Sequence, residues 1–334
     1  MTEHAAGADD AAPYKSSLPQ VLDALNLSPG AATEAATVFT GAQFDAPFHH
    51  ILGGHIAAQA LVAAGRTVGP ERTPHSLHGY FLRAGDARYP VEFEVVDLQQ
   101  GRNFSARQVT ARQSGAVLMA GVASFCIEAA DGPEYHPEVL GIPDPEKLSS
   151  QPHPAQLAGA GGGSWTSLQW FQRRPVEAGA RDPGHLLTWW RPDGPTGDDS
   201  LTAAALVVYL SAASLVESAV AARAAHRTRA DNTAQRDIAV WFHRPARLGD
   251  WLLLDQRSDS AVGARALALG RVYNRDGELV ATAGQEQYFP PVPPRRVSPP
   301  TRDAELPLPA HGARTCRDSA RRRSIPPHPS VDRP

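Results

Sequence analysis

Cysteine is scarce: the 334-residue chain has two, Cys126 in an apolar run and Cys316 in a polar tail. Two thiols so placed argue against a disulfide framework and suit a reducing compartment. The start, MTEHAAGADDAAPYK, lacks the basic opening and apolar run of a signal peptide. Long hydrophobic runs are missing too. The longest, about Ala203–Leu210 and on to Val216, is interrupted by Ser211 and Ser214 and reads as too short to span a bilayer. No sign of charge dominates: charged residues make up 20% of the chain and the net charge is −3, so nothing points to nucleic acid. The expectation is a cytoplasmic protein with no nucleic-acid partner and no membrane insertion.

What is present is repetition. Residues 75–98, HSLHGYFLRAGDARYPVEFEVVDL, share their layout with residues 235–254, QRDIAVWFHRPARLGDWLLL. Arg83-Ala84-Gly85-Asp86 answers Arg247-Leu248-Gly249-Asp250. Further on, Val117-Leu118-Met119-Ala120 after the Ser114-Gly115 turn answers Leu279-Val280-Ala281-Thr282 after Asp276-Gly277. The period is the size of a small domain, far too long for a solenoid. Either the chain holds two copies of one module, or two antiparallel meanders happen to look alike.

The local patterns support two copies. Leu18, Val21, Leu22 and Leu25 space out a short amphipathic helix, and Ala36–Gly41 is a candidate strand. A helix follows Gly53-Gly54-His55, and strand-like runs follow at 75–83, 90–98, 102–113 and 116–128. In the second half His185–Arg191 reads as a strand, and Leu201–Ala221 as a helix apolar on nearly every side and therefore buried. Strand-like runs then come at 235–244, 251–258, 263–273 and 279–289. The expected organisation is a disordered start (1–15), a first module (16–130), a Pro/Gly/Ser-rich linker (131–164), a second module (165–290) and a disordered Pro/Arg-rich tail (291–334). Trp241 and Trp251 are expected in the core, His243 in a structural role, and Glu217 at the solvent or between helices.

Gly53-Gly54 has two readings. Both glycines simply make a tight turn, or the unpaired amides at a helix start accept an oxygen gaining negative charge. His55, beside them, titrates near neutrality and either acts as a base or packs.

Several of these runs resemble one family. Gly53–Leu61, His75–Asp86 and Trp241-Phe242-His243-Arg244-Pro245 are similar to acyl-CoA thioesterase II, the TesB-like enzymes, with support from Gly101–Arg107 and Val280–Glu286. The resemblance implies an α+β double hotdog: two tandem modules, each a long helix wrapped by a curved antiparallel sheet. It implies hydrolysis of fatty acyl-CoA to free acid and CoA, with no metal, no cofactor and no covalent intermediate. Two modules in one chain already form a pseudo-dimer, and a further homo-oligomer is compatible with it.

The family activates a water with an Asp, a Ser or Thr, and a Gln. The Gln falls on Gln285. The Asp position, in Tyr209-Leu210-Ser211-Ala212, is Ala212, and the Ser/Thr position is Gln235. The family's Asp-His pair is here Asp237-Ile238. Gln285, Gln235 and Asp237 are therefore the catalytic candidates, with Gly53, Gly54 and His55 toward the substrate. The departures leave two functions open: an altered thioesterase, or an acyl-CoA binder whose site has decayed. A hydratase is a weaker third, since no His and Asp pair at a suitable spacing.

Overall fold

The structure, a computed structural model, describes residues 18–33, 35–44, 50–128, 132–139, 141–152, 168–177, 182–225 and 233–290. These lie within one compact unit, Met1–Pro291; a second, Val292–Pro334, falls outside the described residues. So do the two expected disordered ends, Cys316, and much of the linker, including its glycine run.

Three helices are described: α1 (Leu18–Leu25), α2 (Gly53–Gly65) and α3 (Ser200–Ala225). The strands of the first half are β1 (Ser28–Pro29), β2 (Thr37–Gly41), β3 (Thr73–Phe81), β4 (Val91–Gln100), β5 (Phe104–Gln113) and β6 (Ala116–Cys126). Those of the second are β7 (Phe171–Val176), β8 (His185–Pro192), β9 (Ala234–Gln235), β10 (Asp237–Phe242), β11 (Leu252–Val262), β12 (Arg265–Tyr273) and β13 (Leu279–Tyr288).

Among the described residues the strands make one antiparallel sheet in the order β1-β2-β4-β5-β6-β3-β10-β13-β12-β11-β8-β7, with β9 on β13. Read outward from the β3–β10 junction, the halves match strand for strand: β3, β6, β5, β4, β2 on one side and β10, β13, β12, β11, β8 on the other. This is the double hotdog, and the repeat is one of structure as well as sequence.

Each half wraps a helix rich in alanine, the best helix former. Small side chains also let α2 and α3 approach closely. The helices run antiparallel: a Cβ on Gly65 would come 2.5 Å from Leu201 Cδ1, and one on Gly54 would come 2.8 Å from the Tyr209 carbonyl oxygen. A single apolar core joins Leu61, Leu77 and Phe93 of the first half to Leu206, Val240 and Leu254 of the second. Each such side chain contributes about 1.5–3 kcal/mol by leaving water.

Two sequence expectations need correction here. The apolar run around Ala203 is part of a helix that, by length and composition, is long enough to cross a membrane. Ser211 and Ser214 do not break it: both are buried within the unbroken helix Ser200–Ala225. The sheets, not lipid, cover it, as its all-round apolarity implied. Trp251 is buried, but Trp241 is 39% exposed on the outer face, edge-on to His78. His243 donates to or accepts from Thr282 Oγ1 at 2.9 Å, in keeping with a structural role.

Candidate active site

Three elements meet at the start of α2. Leu52 enters in an extended conformation and offers no capping side chain, so it leaves the amides of Gly53 and Gly54 without that partner. Close approach to the α3 backbone requires Gly54, whereas a side chain at Gly53 would first displace the Gln235 carboxamide. A Cβ at Gly53 would lie 2.1 Å from Gln235 Oε1 and 3.1 Å from Phe81 Cζ, and one at Gly54 would lie 3.1 Å from Ala212 Cβ. Gln235, in turn, donates from Nε2 to the Ala212 carbonyl at 2.6 Å. The positions singled out in sequence as Gly53, Gly54, Ala212 and Gln235 are thus brought together. The start of α3 differs: Asp199 caps it, accepting from the Thr202 amide at 2.8 Å.

The sheet adds two more carboxamides. Gln287 is the cross-strand partner of Gln235, and Gln285 lies two residues away on the same inner face. Gln285 is 1% exposed and Gln287 0%, and neither carboxamide has a hydrogen-bond partner among the described residues. Buried amides are normally paired, and an unpaired one costs about 1–3 kcal/mol. Both stand near Gln235 on the inner face of the sheet.

The repeat supplies an internal control. The first half pairs Pro74 with Phe125 just before a bulge at His75, as the second pairs Gln235 with Gln287 just before the break at Arg236. By that register Pro74 stands where Gln235 does, Phe125 where Gln287 does, and Ala123 where Gln285 does. All three first-half residues are apolar, and Ala123 and Phe125 belong to the hydrophobic core. The three amides therefore occupy one end of the pseudo-dimer only. At the other end a small cavity is lined by Thr73, Pro74, Cys126, Ser200, Phe242 and Arg244, with Phe242 in the place of Phe81.

Asp237 does not join the glutamines. It pairs across the ladder with Tyr80, which is 64% exposed, while Ile238 and Val240 face the core. The break at Arg236 shifts the register by one residue and turns Asp237 to the outer face. There it accepts the Glu286 amide at 2.7 Å, filling the gap the break leaves in the ladder. Burial pushes its carboxyl above the usual carboxylate range, helped by the nearby Glu286 charge, although that amide bond pulls the other way. It thus stands on the opposite face of the sheet from Gln285 and Gln287.

His55 sits in the first turn of α2, buried between Phe44 and Tyr209, with ring centroids 4.4 and 5.7 Å away. Burial lowers its pKa to about 4, against a small opposing effect of the Ala42 carbonyl. The imidazole is thus neutral near pH 7 and a weak proton acceptor. Glu217, expected at the solvent or between helices, is buried and forms an ion pair with Arg173 of β7. It points to the far strands of the second half, away from Ala212. Among the described residues no group of three or more His, Cys, Asp or Glu side chains is placed to hold a metal.

The acyl-CoA thioesterase N-terminal domain family matches residues 44–126, and the acyl-CoA thioesterase family matches residues 166–288. Acyl-CoA thioesterase 2 of Haemophilus influenzae is 30% identical over 75% of this chain and 91% of its own.

The chain belongs to the acyl-CoA thioesterase family.

Two solved structures of this family are close in sequence as well as fold. A tesB protein of Mycobacterium avium subsp. paratuberculosis is 47% identical with a TM-score of 0.70, covering 82% of this chain and all of its own. The acyl-CoA thioesterase II TesB2 of Mycobacterium marinum is 31% identical with a TM-score of 0.68, covering 81% and 98%. Gln287 is not singled out by the family resemblance. Its signal was available: Gln285 and Gln287 alternate with Glu286 on a strand, which puts both on one face.

Proposed function

We propose that this thioesterase hydrolyses fatty acyl-CoA by direct attack of a bound water on the thioester carbonyl, at the start of α2. The modules concerned are those expected at 16–130 and 165–290, and the scarcity of cysteine supports a cytoplasmic setting. The observation that carries this reading is the one-sided set of Gln235, Gln285 and Gln287 on the inner face, with Gln235 against Gly53 at the uncapped helix start.

The roles follow from what each group can do. The amides of Gly53 and Gly54 lie at the positive end of the helix, where a carbonyl oxygen turning into an oxyanion is stabilised. One such donor is worth about 10²–10³ in rate. The Gln285 carboxamide accepts one hydrogen bond from a water and can donate another, so it fixes the direction of attack. Gln235, anchored on Ala212, packs against Gly53 and shapes the floor. The tetrahedral adduct collapses by breaking the C–S bond. A thiol near pKa 8.5 leaves as thiolate without an acid catalyst, and the water's proton leaves to that thiolate or to solvent.

No carboxylate stands at Ala212 to take the proton early. A general base is worth about 10²–10⁴, so the rate rests on position and on oxyanion stabilisation, and turnover is correspondingly slow. The test is release of CoA thiol from acyl-CoAs of several chain lengths, followed with a thiol reagent, for the wild type and Gln285→Ala. Release by the wild type, reduced at least about tenfold in the variant, supports the reading. Saturable binding with the thioester left intact at every chain length would overturn it in favour of a binding protein.

A further inference from the structure

We propose that Gln287 is a second water-binding residue of the site, holding the same attacking water as Gln285; this rests on the hydrolytic reading above. A water fixed inside a protein needs two to four polar partners. The Ala212 methyl cannot be one of them. Gln235 spends one Nε2 hydrogen on the Ala212 carbonyl and keeps its second hydrogen and Oε1. Gln285 by itself leaves the water short of partners. Gln287 is placed to add to the set: it stands on the same inner face, one pleat along, with both amide atoms buried and unpartnered among the described residues.

The fold does not call for an amide at this position. The equivalent residue in the first half is Phe125, fully buried in the hydrophobic core, and the strand pairs there in the same way. Nor does the ladder use the side chain, since the backbone of β13 bonds its neighbours regardless. An amide that is buried, unpaired and structurally dispensable is accounted for by a guest that pairs with it. Its neighbours on both sides, Gln285 along the strand and Gln235 across it, point to water as that guest. Two carboxamides then hold what a single carboxylate would hold.

The experiment compares the wild type, Gln285→Ala, Gln287→Met and Gln287→Glu by thiol release from one acyl-CoA, with thermal melting of each. Gln287→Met keeps the side-chain length and removes the amide. The expected result is a kcat lowered about tenfold or more, the worth of a hydrogen bond to a group gaining charge. KM should stay within about threefold, because the lost contact is to water rather than to the acyl chain, and the melting temperature should hold or rise. Gln287→Glu places a buried carboxyl beside the water, with its pKa raised by desolvation. Its rate should rise with pH as that carboxyl ionises, a limb the wild type lacks. If Gln287→Met does not fold, the glutamate variant carries the test. A kcat within about twofold of wild type in Gln287→Met, or a pH profile of Gln287→Glu matching that of the wild type, overturns the assignment. If Gln285→Ala is impaired while Gln287→Met is not, the inference fails and the hydrolytic reading stands. If the wild type releases no thiol, both fail.

Discussion

Restoring a carboxylate at Ala212 is the sharpest test of the chemistry. Ala212 is fully buried, its Cβ lies 3.1 Å from where a Gly54 side chain would start, and its own carbonyl anchors Gln235. An Asp placed there reaches toward the α2 start and the glutamine-lined face, where the amides of Gly53 and Gly54 and two unpaired carboxamides can donate to it. Because it is desolvated, its pKa lies above the ordinary 3.9 or so. Two consequences follow with opposite signs. Ionised, it takes the water's proton as attack proceeds, which is worth about 10²–10⁴ in kcat, or roughly 3–5 kcal/mol at 1.36 kcal/mol per decade. Stability runs the other way. A carboxyl whose folded pKa is raised is tolerated when protonated, and the stability associated with it is lost as pH rises through that folded value. Thiol release by Ala212→Asp should therefore climb with pH to a plateau above the wild-type rate, while its melting temperature falls over the same range. Both are measured on one preparation across pH 5 to 8. A variant that folds, yet hydrolyses no faster than the wild type at any pH, would refute the placement of the water between α3 and the glutamines.

Four further outcomes are expected. His55 has a folded pKa of about 4 against 6.5 when free. Above pH 6.5 it is neutral in both states and adds no pH dependence. From 6.5 down to 4 only the unfolded chain takes up the proton, so stability drops by about 3 kcal/mol over that window. Urea unfolding should show this slope in the wild type and a flatter one in His55→Gln; equal slopes would contradict it. Gly54→Ala pushes a methyl to 2.8 Å from the Tyr209 carbonyl oxygen and forces the helices apart. It should cost about 1–3 kcal/mol, read as a lower melting temperature. Arg173→Met strips the buried Glu217 of its guanidinium. It should cost about 3–5 kcal/mol by denaturant titration, with much of that recovered when Glu217→Met is added. Finally, a non-hydrolysable acyl-CoA thioether should bind by calorimetry at one site per chain; two equal sites would deny the inequality of the two ends.

The duplication, the core helices and most strands were legible because their signals are local or repeated. Alternation in Val91, Phe93 and Val95 and the Asp276-Gly277 turn each fix an element without reference to the rest. What escaped depended on register or on distant partners. Phe171–Val176 carries Arg173, Arg174 and Pro175 and does not read as a strand. At a sheet edge the proline is tolerated, and Arg173 is balanced by Glu217, 44 residues on. Residues 141–152 read as a linker with room for helical turns, and Asp144 caps one at Pro145–Lys147; the bonds of the Trp189 and Trp251 side chains to Pro143 and Glu146 have no local signal. The face Asp237 takes is set by one extra residue at Arg236, since a slip of one reverses every facing side chain. Trp241 follows the familiar asymmetry that buried residues are apolar but apolar residues need not be buried. Gln285 was found through family likeness, whereas Gln287 required the assumption that the inner face of a strand need not be wholly apolar.

The inequality of the two ends is open to a chain that carries both modules. In a dimer of identical modules every substitution appears twice, so an unpaired amide at one end brings a second at the other. Here the burden is confined. At one end Pro74, Ala123 and Phe125 stand where the other end has its three amides, beside the small cavity, and Asp199 caps the helix that begins there. Gln235, Gln285 and Gln287 leave the other end polar, against a helix start with no cap. At about 1–3 kcal/mol per unpaired amide, repeating the arrangement would consume a large share of the 5–15 kcal/mol that typically holds a domain folded. One end therefore secures the fold while the other is free to be poorly satisfied until a water and a thioester arrive. The departure from a carboxylate at Ala212 belongs to the same economy: a buried charge needs pairing at all times, whereas carboxamides tolerate an empty site at lower cost.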